Sequence, residues 1–235
     1  MLATIHGYDY KFVHTTEYIN HSRSGVWTKV SALADILRSY DIVVSIDADS
    51  IFRHLHLPYE WLMNRWNITL DTSVAMPLDP NWDINTDTQL GYTLNKFGVL
   101  NPNAGFVTAQ NLPRTFEILR AWDSCPDNES RYPGCSRFRE NWPAEQGAFG
   151  EYVRYEFNRD TDFKAFNCTD GNGFPEQGSE CLGLFVRHFT TGKDKLKSGV
   201  GDALLSTFMG LAQGDMMRKK EEFVIQRDTN EIHTE

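Results

Sequence analysis

The sequence predicts a single α/β domain, on three observations. An amphipathic helix runs directly into a short apolar stretch rich in β-branched residues, the step from which such folds are built. Strand-like and helix-like segments then alternate along the chain with no linker, repeat or low-complexity segment between them. Finally, 235 residues with 40% hydrophobic and 23% charged side chains are enough for one sizeable core and argue against disorder.

The elements follow in chain order. From Trp27 the apolar residues Val30, Leu33, Ala34 and Leu37 recur at helical spacing, with Thr28 near the start, so the pattern predicts a helix over 27–39. Ile42, Val43, Val44, Ser45 and Ile46 read as a buried strand. Residues 73–76 and 105–108 are further short strand candidates. Residues 112–123 are helical, with Asn111 as the cap and Pro113 in the first turn, where a missing N–H costs nothing. A second helix is predicted over 145–155 and a strand over 182–188. A last helix over 201–220 is expected to turn Leu204, Leu205, Phe208, Leu211 and Ala212 inward. Residues 199–235 then form a C-terminal helical extension of a single domain covering 1–235.

Charge and cysteines bound the surroundings. With 23 Lys plus Arg against 32 Asp plus Glu the formal net charge is -9, which disfavours nucleic acid as a partner. No basic patch overrides this, and Lys219-Lys220 followed by Glu221-Glu222 reads as a solvated helix face. No apolar run approaches the roughly 20 residues of a bilayer span, and residues 1–10 contain no signal-peptide core. The four cysteines fall as two close pairs, Cys125 with Cys135 and Cys168 with Cys181, each in a Gly/Pro/Asn-rich stretch that reads as loop. Two loop-stapling disulfides are the natural reading, since structural zinc prefers closer cysteine spacing. Together with Asn-x-Ser/Thr sequons at Asn20, Asn67, Asn128 and Asn167, they favour a secretory lumen over the cytosol.

The sharpest chemical feature is Asp47-Ala48-Asp49, directly after the strand at 42–46. Carboxylates at the carboxyl end of a strand in an open α/β sheet lie where such folds bind ligands. Strand alternation would aim them to opposite sides, yet at a strand end the chain is already turning. One can then hold a metal while the other holds a ribose hydroxyl, another group or the same ion. Oxygen ligands suit Mg²⁺ or Mn²⁺, which usually hold substrate phosphates. The bare Asp-x-Asp string is also a common solvated turn.

Two chemistries use such a pair. In one it holds a divalent ion on the diphosphate of a sugar nucleotide. In the other the first Asp accepts a phosphoryl group and the second is a general acid. The phosphatase needs a Gly-Asp-x-x-x-Asp element, but Gly201-Asp202 is followed by Ser206 and Gly214-Asp215 by Lys219 at the second Asp position, which weakens it. Asp79, Asp83 and Asp87 lack the Gly and Glu of a calcium loop and read as a solvated, acceptor-side loop. Trp61, Trp66 and Trp82 could stack on sugar faces, although core or lid packing is the more frequent use.

Several segments, in order, resemble one family. They are His6-Gly7-Tyr8-Asp9-Tyr10, Trp27-Thr28-Lys29-Val30, and Tyr40-Asp41 through Ser45-Ile46-Asp47-Ala48-Asp49-Ser50-Ile51-Phe52. Asn103-Ala104-Gly105-Phe106, Trp142-Pro143-Ala144-Glu145-Gln146-Gly147-Ala148-Phe149 and Arg187-His188-Phe189-Thr190-Thr191-Gly192-Lys193 complete the set. Their order is similar to that of GT-A glycosyltransferases of the galactosyltransferase/mannosyltransferase-complex family, which includes yeast-type Golgi α-1,2-galactosyltransferases and plant xyloglucan xylosyltransferases.

The resemblance implies a GT-A (Rossmann-like) α/β fold and transfer of a sugar, with retention, from a nucleotide-sugar donor to a glycan or glycoprotein hydroxyl. It implies Asp47, Asp49 and His188 as ligands of Mn²⁺ (or Mg²⁺), and Asp47 and Asp49 also as contacts to ribose or diphosphate. Lys193 would neutralise the leaving diphosphate, Glu145 and Gln146 would contact the donor sugar, and Asn103 would sit near sugar or acceptor. The ordinary alternatives are a satisfied strand-end histidine, a surface lysine, a helix-start acid and a turn asparagine. The resemblance also implies a Golgi or secretory-lumen location behind a membrane anchor, and a first strand ahead of His6; neither lies in these 235 residues. A shortened sequence and a non-catalytic luminal binding module are the two readings of that difference.

Overall fold

The computed structural model describes residues 1–14, 16, 22–80, 93–173, 180–190 and 192–223. A short helix α1 (Leu2–His6) leads to a 3-10 turn at Gly25–Trp27 and helix α2 (Thr28–Leu37). Strand β1 (Ile42–Ile46) follows, then β2 (Ser50–Phe52), α3 (Tyr59–Arg65), β3 (Val74–Pro77) and β4 (Phe106–Gln110). Helix α4 (Pro113–Ser124) comes next, then α5 (Ala144–Ala148), which continues through a π-helical turn at Phe149–Val153 into α6 (Arg154–Glu156). β5 (Phe163–Phe166), α7 (Cys168–Gly171), β6 (Val186–His188) and the long α8 (Leu196–Arg218) follow, and the described course ends with the single turn α9 (Lys220–Phe223).

The main sheet has the order β1-β4-β3-β5. Strand β4 runs antiparallel to both neighbours, whereas β3 and β5 are parallel. A separate ribbon pairs β2 with β6 antiparallel, with Ser50 opposite His188. Strand alternation divides the core in two. Val74, Met76, Val107 and Ala109 face Val30, Leu33 and Leu37 of α2 and Ile118, Leu119 and Trp122 of α4. Ala75 and Phe106 face the opposite way, toward Tyr59, Leu62, Met63 and Trp66, with Phe166 and Val186 closing that side. Helices therefore cover both faces of the sheet.

Several expectations change in detail. Strand β1 is half-buried along its length rather than buried, because among the described residues it occupies a sheet edge and pairs only with β4. Asn111 does not cap α4; its amide donates to Leu37 O and Tyr40 O at 2.9 and 3.0 Å and so ties the end of α2 to the α4 entry. The strand expected over 182–188 is only three residues long, with Gly183 at φ 60° and Leu182 exposed ahead of it.

The largest correction concerns α8. Leu205, Phe208 and Leu211 are 61%, 67% and 59% exposed, and Leu204 is exposed too, while Gly199, Ala203 and Thr207 make the buried face. Close packing explains the inversion: the helix lies so near the β2–β6 ribbon that a Cβ at Gly199 would come within 2.7 Å of Phe189, so small residues occupy the contact. Both expected disulfides form, Cys125 to Cys135 and Cys168 to Cys181. Of the sequons, Asn67 and Asn167 are exposed and Asn128 is half-buried, while Asn20 lies outside the described residues, as do Trp82, Asp83, Asp87 and Thr191. No helix among the described residues is long and apolar enough to cross a membrane.

Chemical denaturation distinguishes these environments. Trp122 packs edge-on against Phe149 and its indole N–H donates to Glu145 O at 2.7 Å, so Trp122→Ala is expected to cost about 3–5 kcal/mol. Phe208→Ser on the exposed face of α8 is expected to change stability by less than about 0.5 kcal/mol.

Candidate functional site

The site forms where β1 ends. The Asp47 N–H donates to Gly105 O at 2.8 Å, which extends the β1–β4 pairing one residue past the strand. The Asp47 carbonyl then accepts from Ser50 N at 3.0 Å and closes a turn through Ala48 and Asp49. That turn defeats the alternation that would otherwise part the two carboxylates. On its far side, Phe189 N donates to Asp49 O at 2.8 Å and the ribbon sets His188 opposite Ser50. One ligand atom each from Asp47, Asp49 and His188 consequently lie within 4.8 Å of one another.

Charges are paired around this cluster. His188 Nε2 lies 3.2 Å from Asp49 Oδ1, and the exposed Lys193 ammonium lies 3.3 Å from Asp49 Oδ2. The hydrogen bond with His188 outweighs partial burial and, with Lys193, holds the Asp49 carboxyl at about 2. Asp47 instead pairs with Lys29 of α2, whose Nζ is 2.9 Å from Oδ1 and 3.2 Å from Glu145 Oε1. Burial works against the Lys29 ammonium, but the Glu145 and Asp47 carboxylates prevail and raise its pKa. Burial likewise pushes the Glu145 carboxyl up, against the pull of Lys29. Glu145 Oε2 is buried with no hydrogen-bond partner among the described residues.

A buried polar network lies behind the cluster, centred on Asp79. Asn103 Nδ2 donates to Asp79 Oδ1 at 2.7 Å, Gln146 Nε2 donates to Oδ2, and Asn172 Nδ2 reaches Oδ1 at 3.3 Å. Asn103 Oδ1 accepts from Gly105 N at 2.9 Å and Gln146 Oε1 from Ala104 N at 3.0 Å, so both amides brace the segment before β4. Burial raises the Asp79 carboxyl to about 6 despite these donors. Asp79 is therefore not part of a solvated loop, as its sequence context suggested; the chain crosses beneath the sheet's carboxyl edge there, with Asp79 N bonded to Asn101 O at 2.8 Å.

The structure thus gathers Asp47, Asp49, His188, Lys193, Glu145, Gln146 and Asn103 around one region. Lys29, Asp79 and Asn172 belong to it as well; the sequence reading put Asp79 in a solvated acceptor-side loop and gave Lys29 and Asn172 no role. Lys29 carried a usable signal, a lysine in the first turn of a helix that leads into the Asp-x-Asp strand. Asn172, between Gly171 and Gly173, carried none. Trp66 stacks on Phe166 at 4.3 Å within the core, and the exposed Trp61 leans on Phe185. Ala144, with φ 46°, holds a conformation uncommon for a residue with a side chain immediately before Glu145 and Gln146.

Two carboxylates and one imidazole converging on a common point suit a divalent cation such as Mn²⁺ or Mg²⁺. Gly105 keeps the space open: a Cβ there would lie 2.5 Å from His188 Cε1 and 3.0 Å from Asp47 Oδ2.

No family model matches the sequence, and no curated protein matches it either. Among solved structures the chain is similar to a glycosyltransferase involved in the glycosylation of the major capsid of PBCV-1. The TM-score is 0.54 at 15% identity, covering 84% of this chain and 85% of that one. An active-site mutant of LgtC aligns over 80% of this chain and 73% of that one with a TM-score of 0.44 and 14% identity, too distant to argue from. At these identities the likeness concerns the fold, and the fold is of the GT-A glycosyltransferase type.

The Asp79 carboxyl makes a pH prediction. Its folded pKa of about 6 exceeds the ordinary 3.8, so the folded state holds the proton more tightly and loses stability as pH rises between those values. With chelator present, the stability of the parent relative to Asp79→Asn is expected to fall by on the order of 3 kcal/mol between pH 4 and 7. Paired denaturation curves check this, and a constant difference contradicts it.

Proposed function

We propose that the protein is a divalent-metal-dependent glycosyltransferase that moves a sugar from a nucleotide-sugar donor to a glycan or glycoprotein hydroxyl, with retention. The observation that carries the reading is the convergence of Asp47, Asp49 and His188 at the carboxyl end of a strand in a GT-A-type fold. Asp47, Asp49 and His188 would hold the ion, Mn²⁺ or Mg²⁺. A bound divalent cation supplies charge neutralisation for a diphosphate leaving group.

The chain's own groups complete the site. The solvent-facing Lys193 ammonium can follow a departing diphosphate as a flexible point charge. Glu145 Oε2, buried and unpartnered among the described residues, offers an acceptor that a sugar hydroxyl would satisfy. Lys29 holds Asp47 and Glu145 in fixed relation, and Asn103 and Gln146 brace the Ala104–Gly105 backbone beneath the donor. Acceptor attack on the face of the departing group requires no separate general base. The two disulfides accord with an oxidising secretory compartment, and we place the protein in the Golgi or secretory lumen.

A donor-hydrolysis assay over a panel of nucleotide sugars, with and without chelator, tests the reading. Activity is expected to vanish with chelator, return with Mn²⁺, and fall by roughly 10²-fold or more in Asp47→Asn. Transfer in chelator, or an Asp47→Asn variant equal to the parent, sinks it. Retained folding without affinity for nucleoside diphosphates would select a luminal binding module, and turnover of a simple phosphoester would select the phosphatase.

A further inference from the structure

Leu204, Phe208 and Leu211 are exposed along one side of α8, about a third of a turn round from the face that Gly199, Ala203 and Thr207 bury. They belong to a series, Lys197, Gly201, Leu204, Phe208, Leu211 and Asp215, whose steps alternate between four and three residues. That alternation lines up the seam along which one helix packs against another. We propose that this seam is the interface of a two-fold dimer, in which α8 lies antiparallel against α8 of a second copy of the chain.

The seam itself identifies its occupant, because it is complementary to its own reverse. Turned about a two-fold axis at the level of Ser206, it meets itself with Lys197 opposite the second copy's Asp215, Gly201 opposite its Leu211, and Leu204 opposite its Phe208. Each layer then joins opposite charges, a small residue with a large one, or two apolar side chains. A parallel pair would set lysine on lysine, aspartate on aspartate and glycine on glycine, with two repulsions and a void. Asp215 also pairs with Arg218 and Lys219 of its own helix at 3.3 and 3.4 Å, and all three are exposed. The charges across the pair therefore choose its orientation more than they add affinity.

Space and area agree with this occupant. Glycine inside a helix is unfavourable relative to alanine, and at Gly199 the reason lies within the chain, where a Cβ would meet Phe189 at 2.7 Å. At Gly201 a Cβ would meet nothing within 4 Å among the described residues, and the two-fold pair fills that space with the leucine side chain. With Leu205, Met209 and Met216 beside the seam, the apolar residues of this face expose on the order of 600 Å², the upper end of what a monomer leaves open. A stable complex buries about 800 Å² on each partner, which the strip and its charged ends together approach.

Sedimentation equilibrium of the whole chain is expected to show a monomer–dimer equilibrium. Phe208→Ser is expected to raise the dissociation constant roughly 10-fold or more, since a two-fold pair carries each substitution twice. At concentrations that keep both chains monomeric, its unfolding should match the parent, so that loss of the dimer is not loss of the fold. Lys197→Glu and Asp215→Lys are each expected to weaken the dimer, and the double variant, which restores opposite charges in every end layer, to recover it. A parent that stays monomeric up to about 0.1 mM overturns the proposal. Binding of that monomer to neutral phosphatidylcholine vesicles overturns it in favour of a lipid surface. A dimer that Phe208→Ser and the single charge variants leave unchanged places the contact elsewhere and overturns it as well, and single variants that the double does not rescue overturn the antiparallel register.

Discussion

The antiparallel pairing of β2 with β6 is the constraint on which the site depends. It joins a segment near the first quarter of the chain to one near the end, and sets His188 against Ser50, one residue past Asp49. Without it the turn at Ala48-Asp49 would offer two carboxylates to solvent, an arrangement with no reason to bind a cation rather than water. With it, an imidazole arrives from the opposite side and α8 packs behind the ribbon on its glycine and alanine face. The ribbon is short, so its register is secured from outside, by the Phe189 to Asp49 backbone bond at one end and the Arg53 to Phe185 bond at the other.

Burial of charge is the second constraint. Glu145 and Asp79 are buried and Lys29 is half-buried beside them, where an isolated charge would be costly. Lys29 is tolerated because two carboxylates meet it, and Asp79 because three side-chain amides donate to it. Among the described residues Glu145 is satisfied on one oxygen only. An arrangement that leaves polar capacity unused inside a core costs stability, and such capacity concentrates where a ligand completes the set. The same residues hold backbone in place, since Asn103 and Gln146 grip the Ala104–Gly105 segment that β4 requires for its pairing with β1. Site and sheet are thus parts of one hydrogen-bonded structure.

The parts of the fold legible in sequence were those whose signal is local. The apolar period of α2, the β-branched run of β1 and Pro113 at the start of α4 each act within a few residues of themselves, and each element forms close to its expected place. Failures have a common cause. On α8 the pattern of large apolar residues pointed one way, yet the neighbouring ribbon approaches too closely for them and takes Gly199, Ala203 and Thr207 instead. Asn111 looked like a cap, but the Leu37 and Tyr40 carbonyls, reached only after folding, compete better for its amide.

By itself the sequence determined the α/β class, the Asp47-Ala48-Asp49 turn after an apolar strand, the pairing of cysteines and the chain's acidic balance, because each rests on composition or on neighbours in sequence. Tertiary structure alone decided that Asp79 is buried and central, that Lys29 bridges Asp47 and Glu145, and that Asn172 faces His188. Hydrogen bonds and ion pairs act over a few ångströms in space, and no spacing along the chain records which distant residues the sheet and ribbon will bring within that range.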